Sequence, residues 1–168
     1  MNNSNKVSLG KDNKMVSVIE VKKEQEQVLY NLLQKYLYEM TQYYEDPIGE
    51  DGNFEYRYFS LYFKEPERAA YFIYDNHIMI GFAMINRHSF TNDNIENCIA
   101  EFTIFPAFRH SGNGVKAIEA LKTVRNGRWQ LKYSTDNPAG EKFWQKIKTL
   151  YHGQEQKLEG NEIAITFA

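Results

Sequence analysis

Cysteine is almost missing from this chain: Cys98 is the single one in 168 residues. One thiol cannot close an intrachain disulfide, and a cysteine-built metal cage is excluded. Long apolar runs are missing too. No stretch approaches the ~18 residues that would suggest a transmembrane helix. Positive charge is not in excess, since 20 Lys and Arg stand against 22 Asp and Glu, for a net charge of -2. That balance argues against nucleic acid as the main partner, because phosphate binding leans on clustered cations. His77, His88, His110 and His152 are scattered, and none has metal-ligand spacing with another His or Cys. Met1 to Lys14 is polar, aperiodic and without the apolar centre of a signal peptide. A mobile leader over 1–14 is expected, and a reducing cytoplasm fits the whole pattern.

What is present suits one domain, expected over 15–168, with 42% apolar residues for one core. Aromatic residues reach 15%, including 12 Tyr and 11 Phe. They could line slots for flat or cationic ligands, or simply fill a Tyr-rich core. Met15 to Val21 alternates apolar and polar and predicts a strand. Val28, Leu29, Leu32, Leu33, Tyr36, Leu37 and Met40 recur at helical spacing, predicting a long amphipathic helix over 23–43. Tyr56 to Phe63 reads as a short second helix ended near Pro66. Ala69–Tyr74 and His77–Ile85 form a hairpin around Asp75-Asn76, with Gly81 marking a bulge or a close backbone approach. Cys98–Phe105 is a strand, Val115–Val124 a helix, Trp129–Tyr133 a strand and Pro138–Ile147 a helix. A last hairpin turns at Glu159-Gly160-Asn161.

The chemistry concentrates in Ala100 to Val115, AEFTIFPAFRHSGNGV. A strand ends at Pro106, a turn carries Arg109, His110, Ser111, Gly112, Asn113 and Gly114, and a helix comes next. Gly112 and Gly114 allow close backbone approach and positive φ. First-turn amides of a helix lack intrahelical acceptors, and with the dipole they make an anion site suited to a pyrophosphate. Arg109 would add a cation at its mouth. An ordinary turn entering a helix is the plainer alternative. The stretch is not a Walker loop, since no Lys-Ser/Thr pair closes it, and it lacks the first glycine of a dinucleotide fingerprint.

These residues resemble the signature of the GNAT (GCN5-related) N-acetyltransferases. That signature is Arg/Gln-x-x-Gly-x-Gly/Ala, three residues after a Pro that ends a strand; Pro106 and Arg109 to Gly114 match it. A second pattern, Asn-x-x-Ala-x-x-Phe-Tyr, is met by Asn137, Gly140, Phe143 and Trp144. The element order is similar over 15–168, and the motifs span about 98–147. The resemblance implies an α/β (α+β) fold, the GNAT acyl-CoA N-acyltransferase fold. Its central, mostly antiparallel twisted sheet of about seven strands is flanked by about four helices and splayed between the fourth and fifth strands. It implies acetyl-CoA as co-substrate and no metal. The pyrophosphate would lie on the amides of Arg109, His110, Ser111, Gly112, Asn113, Gly114 and Val115. The pantetheine would pair with Ile104 and Phe105, touch Asn137, and pack on Phe143 and Trp144.

Amine acetylation needs a neutral amine and a proton for the leaving thiolate. Glu101, on the signature strand, is the candidate base, with a structural ion pair as the alternative. The family's proton-donating Tyr falls at Trp144, which has no titratable proton; Tyr133, Tyr151 or a water could substitute. Cys98 reads as a small strand hydrophobe and not as a nucleophile. The resemblance places the acceptor near 36–56, where Tyr36, Glu39 and Tyr43 stand among further carboxylates and aromatics. Such a set suits a small cationic amine, and equally suits a solvated acidic loop. An acyl-CoA-binding sensor without turnover stays open beside the enzyme. Homodimers are common in proteins of this type, and no membrane partner is expected.

Overall fold

The structure, a computed structural model, describes residues 15–168; the leader expected over 1–14 lies outside them. In chain order come β1 (Val16–Glu20), α1 (Glu26–Met40), β2 (Ala69–Asp75), β3 (Ile78–Asn86) and β4 (Asn97–Ile104). Then come α2 (Asn113–Val124), β5 (Trp129–Ser134), α3 (Pro138–Leu150), β6 (Gln154–Lys157) and β7 (Glu162–Phe167). The strands form one sheet in the order β1-β2-β3-β4-β5-β7-β6. Neighbours run antiparallel except β4 and β5, which are parallel.

The apolar stripes explain the layering. α1 lays Leu29 and Leu33 on Phe72, Phe82 and Met84 on one face of the sheet. α2 and α3 bring Ile118, Leu121 and Ile147 to Ile99, Leu131 and Ile165 on the other. Burying such residues drives the assembly, at roughly 1.5–3 kcal/mol for each large aliphatic side chain. Among the described residues no helix is long and apolar enough to cross a membrane.

One expected helix is corrected. The run 56–63 forms only a 3-10 turn at Phe59–Phe63. It is too short for an apolar stripe, and its rings seek partners individually. Phe59 meets Tyr30 of α1 edge-on at 5.2 Å and Phe63 at 5.8 Å, while Tyr62 turns into the core. Three α-helices and short 3-10 turns therefore stand, among the described residues, where about four helices were expected.

Two irregularities shape the centre of the sheet. At Gly81 the backbones of β3 and β4 come so close that a Cβ would lie 2.1 Å from the Thr103 carbonyl oxygen. In β4 the register with β3 shifts, because Met84 faces Glu101 and Ile85 faces Ile99. Ala100 is the extra residue of a β-bulge, which bends a strand and re-aims the side chains beyond it.

Gly81→Ala should destabilise the fold by about 2 kcal/mol, the cost of forcing atoms into a filled space. Urea unfolding measures this, and a variant of wild-type stability would show that the two strands approach less closely.

Candidate active site

β4 leaves β5 at the bulge. Their ladder holds three pairs, Asn97 with Trp129, Cys98 with Gln130 and Ile99 with Leu131. From Ala100 onward the flank of β4 that faces β5 makes no pair with that strand. The amide of Phe105 donates to the Ile80 carbonyl at 2.7 Å, toward β3. Main-chain groups alternate along an antiparallel strand, so those of Phe102 and Ile104 face the gap instead.

Glu101 stands at the start of this gap. Tyr56 donates to its Oε1 at 3.0 Å, and the phenol of Tyr36 is directed at the same carboxylate. The side chain keeps some surface open to the gap while protein surrounds most of it. Burial pushes its carboxyl up to about 7, against the two tyrosine bonds and the Lys132 charge, which pull it down. Loss of hydration thus outweighs the donors. Tyr36 and Tyr56 are themselves pushed upward, chiefly by burial and then by the charge of Glu101, so both keep their protons and remain donors.

Beyond β4 the chain makes a 3-10 turn at Pro106–Phe108 and enters α2 through a strained loop. His110 has φ 62° and Gly112 has φ 82°. A Cβ on Gly112 would meet nothing within 4 Å, so the left-handed backbone itself is what calls for glycine there. Asn113 is buried, and its Nδ2 donates to the Phe108 carbonyl at 3.0 Å, folding the loop back on itself. Among the described residues, the amides of His110 to Val115 donate to no protein acceptor. They form a row of donors at the positive end of a 12-residue helix.

Solved structures match nearly the whole chain. An acetyltransferase from Thermus thermophilus aligns with a TM-score of 0.64 at 16% identity, covering 91% of this chain and 97% of that one. A GNAT-family acetyltransferase from Streptococcus agalactiae gives 0.65 at 12% identity, over 90% and 94%. The fold is that of the GNAT acetyltransferases. The PaiA N-acetyltransferase of Thermoplasma acidophilum, solved with coenzyme A, shares this GNAT fold at a TM-score of 0.57 and 11% identity, over 90% and 98%. No family model and no curated protein matches the sequence.

Within the GNAT sheet, several expected residues sit elsewhere than anticipated. Phe105 turns its main chain to β3, and Phe102 takes the place at the gap. Arg109 is not a cation at the loop mouth. Its guanidinium is drawn to the Glu39 carboxylate, at 2.6 and 2.9 Å, and its Nε donates to the Ile104 carbonyl at 2.6 Å. Glu39 is therefore ion-paired within the chain. Gly114 is helical, and the close neighbour of its missing Cβ is the Phe143 ring, at 2.8 Å. Tyr133 is buried on the α3 side, where its hydroxyl accepts from Gln145 Nε2 at 2.8 Å. Strand alternation aims it away from the face that carries Glu101, so the two catalytic candidates do not meet.

Phe102 and Phe143 stack and Trp144 meets both at steep angles, with centroids 4.6 to 5.7 Å apart. They make an apolar floor on the α2–α3 side of the gap. Asn137 caps α3, accepting from the Gly140 amide at 2.9 Å. Ser111 bonds the Phe108 carbonyl, and Tyr43 lies half-buried in the turn after α1. The Cys98 thiol is buried and pushed up to about 12, so no thiolate forms at neutral pH. Sequence reading missed Tyr56 as a partner of Glu101. The two lie 45 positions apart, and only the aromatic run around Tyr56 hinted at a role.

The raised carboxyl has a stability signature. Between its ordinary 4.5 and about 7, the unfolded chain has lost this proton while the folded chain keeps it. The group therefore lowers stability as pH rises through that window, by about 1.4 kcal/mol per unit. Relative to wild type, Glu101→Gln should gain stability across pH 4.5 to 7 and then level off. Urea unfolding at several pH values checks this, and a constant difference would place the carboxyl in an ordinary solvated site.

Proposed function

We propose that this chain is an acetyl-CoA-dependent N-acetyltransferase that acts on a primary amine by direct attack within a ternary complex. The observation that carries this reading is the Glu101 carboxylate, poised near neutrality where β4 parts from β5 and leaves its main chain open. The surroundings fit the co-substrate in three ways. Unpaired amides at 110–115 suit a diphosphate. The free groups of Phe102 and the Ile104 amide suit an amide arm that adds like a strand. The floor of Phe102, Phe143 and Trp144 suits its methylenes. When bound, acetyl-CoA supplies the acyl group as a thioester.

Glu101 accepts the proton of the attacking amine, and Tyr36 and Tyr56 hold the carboxylate toward the gap. A base with a pKa near the working pH is the efficient one. The departing thiolate takes its proton from water, since Trp144 has none to give, Tyr133 is turned into the core and Tyr151 stacks on Phe167.

Charge at the mouth supports a small cationic acceptor. The Tyr44 phenol is pushed up by burial and then by Glu162, Glu101, Asp136 and Asp46. Carboxylates from several parts of the chain thus act on one partly exposed ring, a setting that suits cation–π contact. Trp144 in place of a proton donor favours a second reading, a module that binds an acyl-CoA without turning it over.

Thiol release from acetyl-CoA with a panel of amines separates the two, because tight CoA binding with no amine-dependent release would leave only the module. For the enzyme, kcat should rise with pH through about 7 and plateau, as Glu101 must be ionised to accept a proton. Glu101→Gln should abolish this limb and lower the rate by about 10²-fold or more, with CoA affinity retained. Gly112→Glu should remove CoA binding by charge and by backbone strain. Calorimetry that finds unchanged affinity in that variant would take the diphosphate off this loop.

A further inference from the structure

Glu39 sits where a helix disfavours it. It lies in the last turn of α1, which has no basic residue, at the negative end of the helix dipole. Its cation comes from 70 positions away. Arg109 donates Nη1 to Glu39 Oε1 at 2.6 Å and Nη2 to Oε2 at 2.9 Å. The same guanidinium donates Nε to the Ile104 carbonyl at 2.6 Å and Nη2 to Thr103 Oγ1 at 3.3 Å. All three nitrogens are spent on α1 and the end of β4.

The consequence lies in what α1 carries. Its fully buried anchors, Leu29 and Leu33, are in its first eight residues. The later half holds Tyr36, whose ring meets Phe82 edge-on at 5.9 Å and whose phenol is directed at Glu101. Tyr36 is one turn before Glu39, and Thr103 is two residues beyond Glu101 on the same face of β4. Arg109 therefore joins the less anchored half of α1 to the part of β4 that bears the carboxylate.

We infer that Arg109 is a positioning residue, which through its two-pronged bond to Glu39 holds the last turns of α1 on β4 and keeps the Tyr36 hydroxyl on Glu101. Its catalytic meaning rests on the acetyltransferase reading; its geometry does not. The role needs the planar fork, so lysine, a point charge, is no substitute.

The groups that act on Glu101 are Tyr36 from α1, Tyr56 and Asp46 from the segment after it, and Lys132 from β5. Of these, the Tyr36 bond pulls the carboxyl down, so its loss moves the midpoint up. NMR titration of protein labelled with 13C in the glutamate carboxyls reads that midpoint without turnover, the Glu101 signal being the one absent in E101Q. Y36F sets the scale by an upward shift. R109K, R109Q and E39Q should each shift the midpoint upward, and R109Q/E39Q should go no further than the larger single change. CoA affinity by calorimetry should stay within about twofold of wild type. R109K covers the case in which R109Q fails to fold. Wild-type midpoints in the Arg109 variants beside a shifted Y36F overturn the inference, as does a tenfold loss of CoA affinity, which would put the guanidinium on the anion. A wild-type protein that titrates as described yet acetylates no amine defeats the acetyltransferase reading and leaves the clamp standing.

Discussion

An unpaired strand flank in the middle of a sheet is the constraint on which the rest depends. Main-chain groups without partners are costly when buried, by about 1–3 kcal/mol each, so a sheet closes its ladders wherever it can. Here it cannot. The bulge at Ala100 bends β4 after three pairs with β5, and α3 packs beneath β5 through Ile147 and Tyr133. Each strand is held by its other neighbour, β4 by β3 and β5 by β7. The gap is kept open by sheet geometry, which needs no moving part.

Everything chemical lies along that gap, sorted by strand alternation. One face of β4 carries Glu101 and Thr103 toward α1, with its tyrosines and ion pair. The other carries Phe102 and Ile104 toward α2 and α3, with their aromatic floor. The bulge sets which residue goes to which face, because one extra residue inverts the alternation beyond it. Without it, Glu101 would point to the face that carries Phe143, and Phe105 would leave the α1 side, where it packs now.

Much of this was legible beforehand. Asp75-Asn76 specified the hairpin, and His110 to Gly114 the turn into α2, because both are local and depend on φ values few residues accept. Glu101 was legible as a carboxylate on the signature strand for the same local reason, an acidic side chain within a β-prone run. Illegible were the contacts that closure of the chain creates. Tyr56 reaches Glu101 over 45 positions, and Glu39 reaches Arg109 over 70. No periodicity links such pairs. Phe105 was taken for Phe102 because Ala100 carries no mark of a bulge. The aromatic run 56–63 misled because rings can be buried singly from a turn as well as from a helix.

Recognition along the open flank of β4 would run through peptide groups that every residue but proline possesses. Side chains there are free to serve other ends: Phe102 the floor, Glu101 the carboxylate. A docking strip made of backbone is indifferent to mutational drift so long as the bulge survives. Chains that share 11 to 16% of their residues with this one keep the same fold.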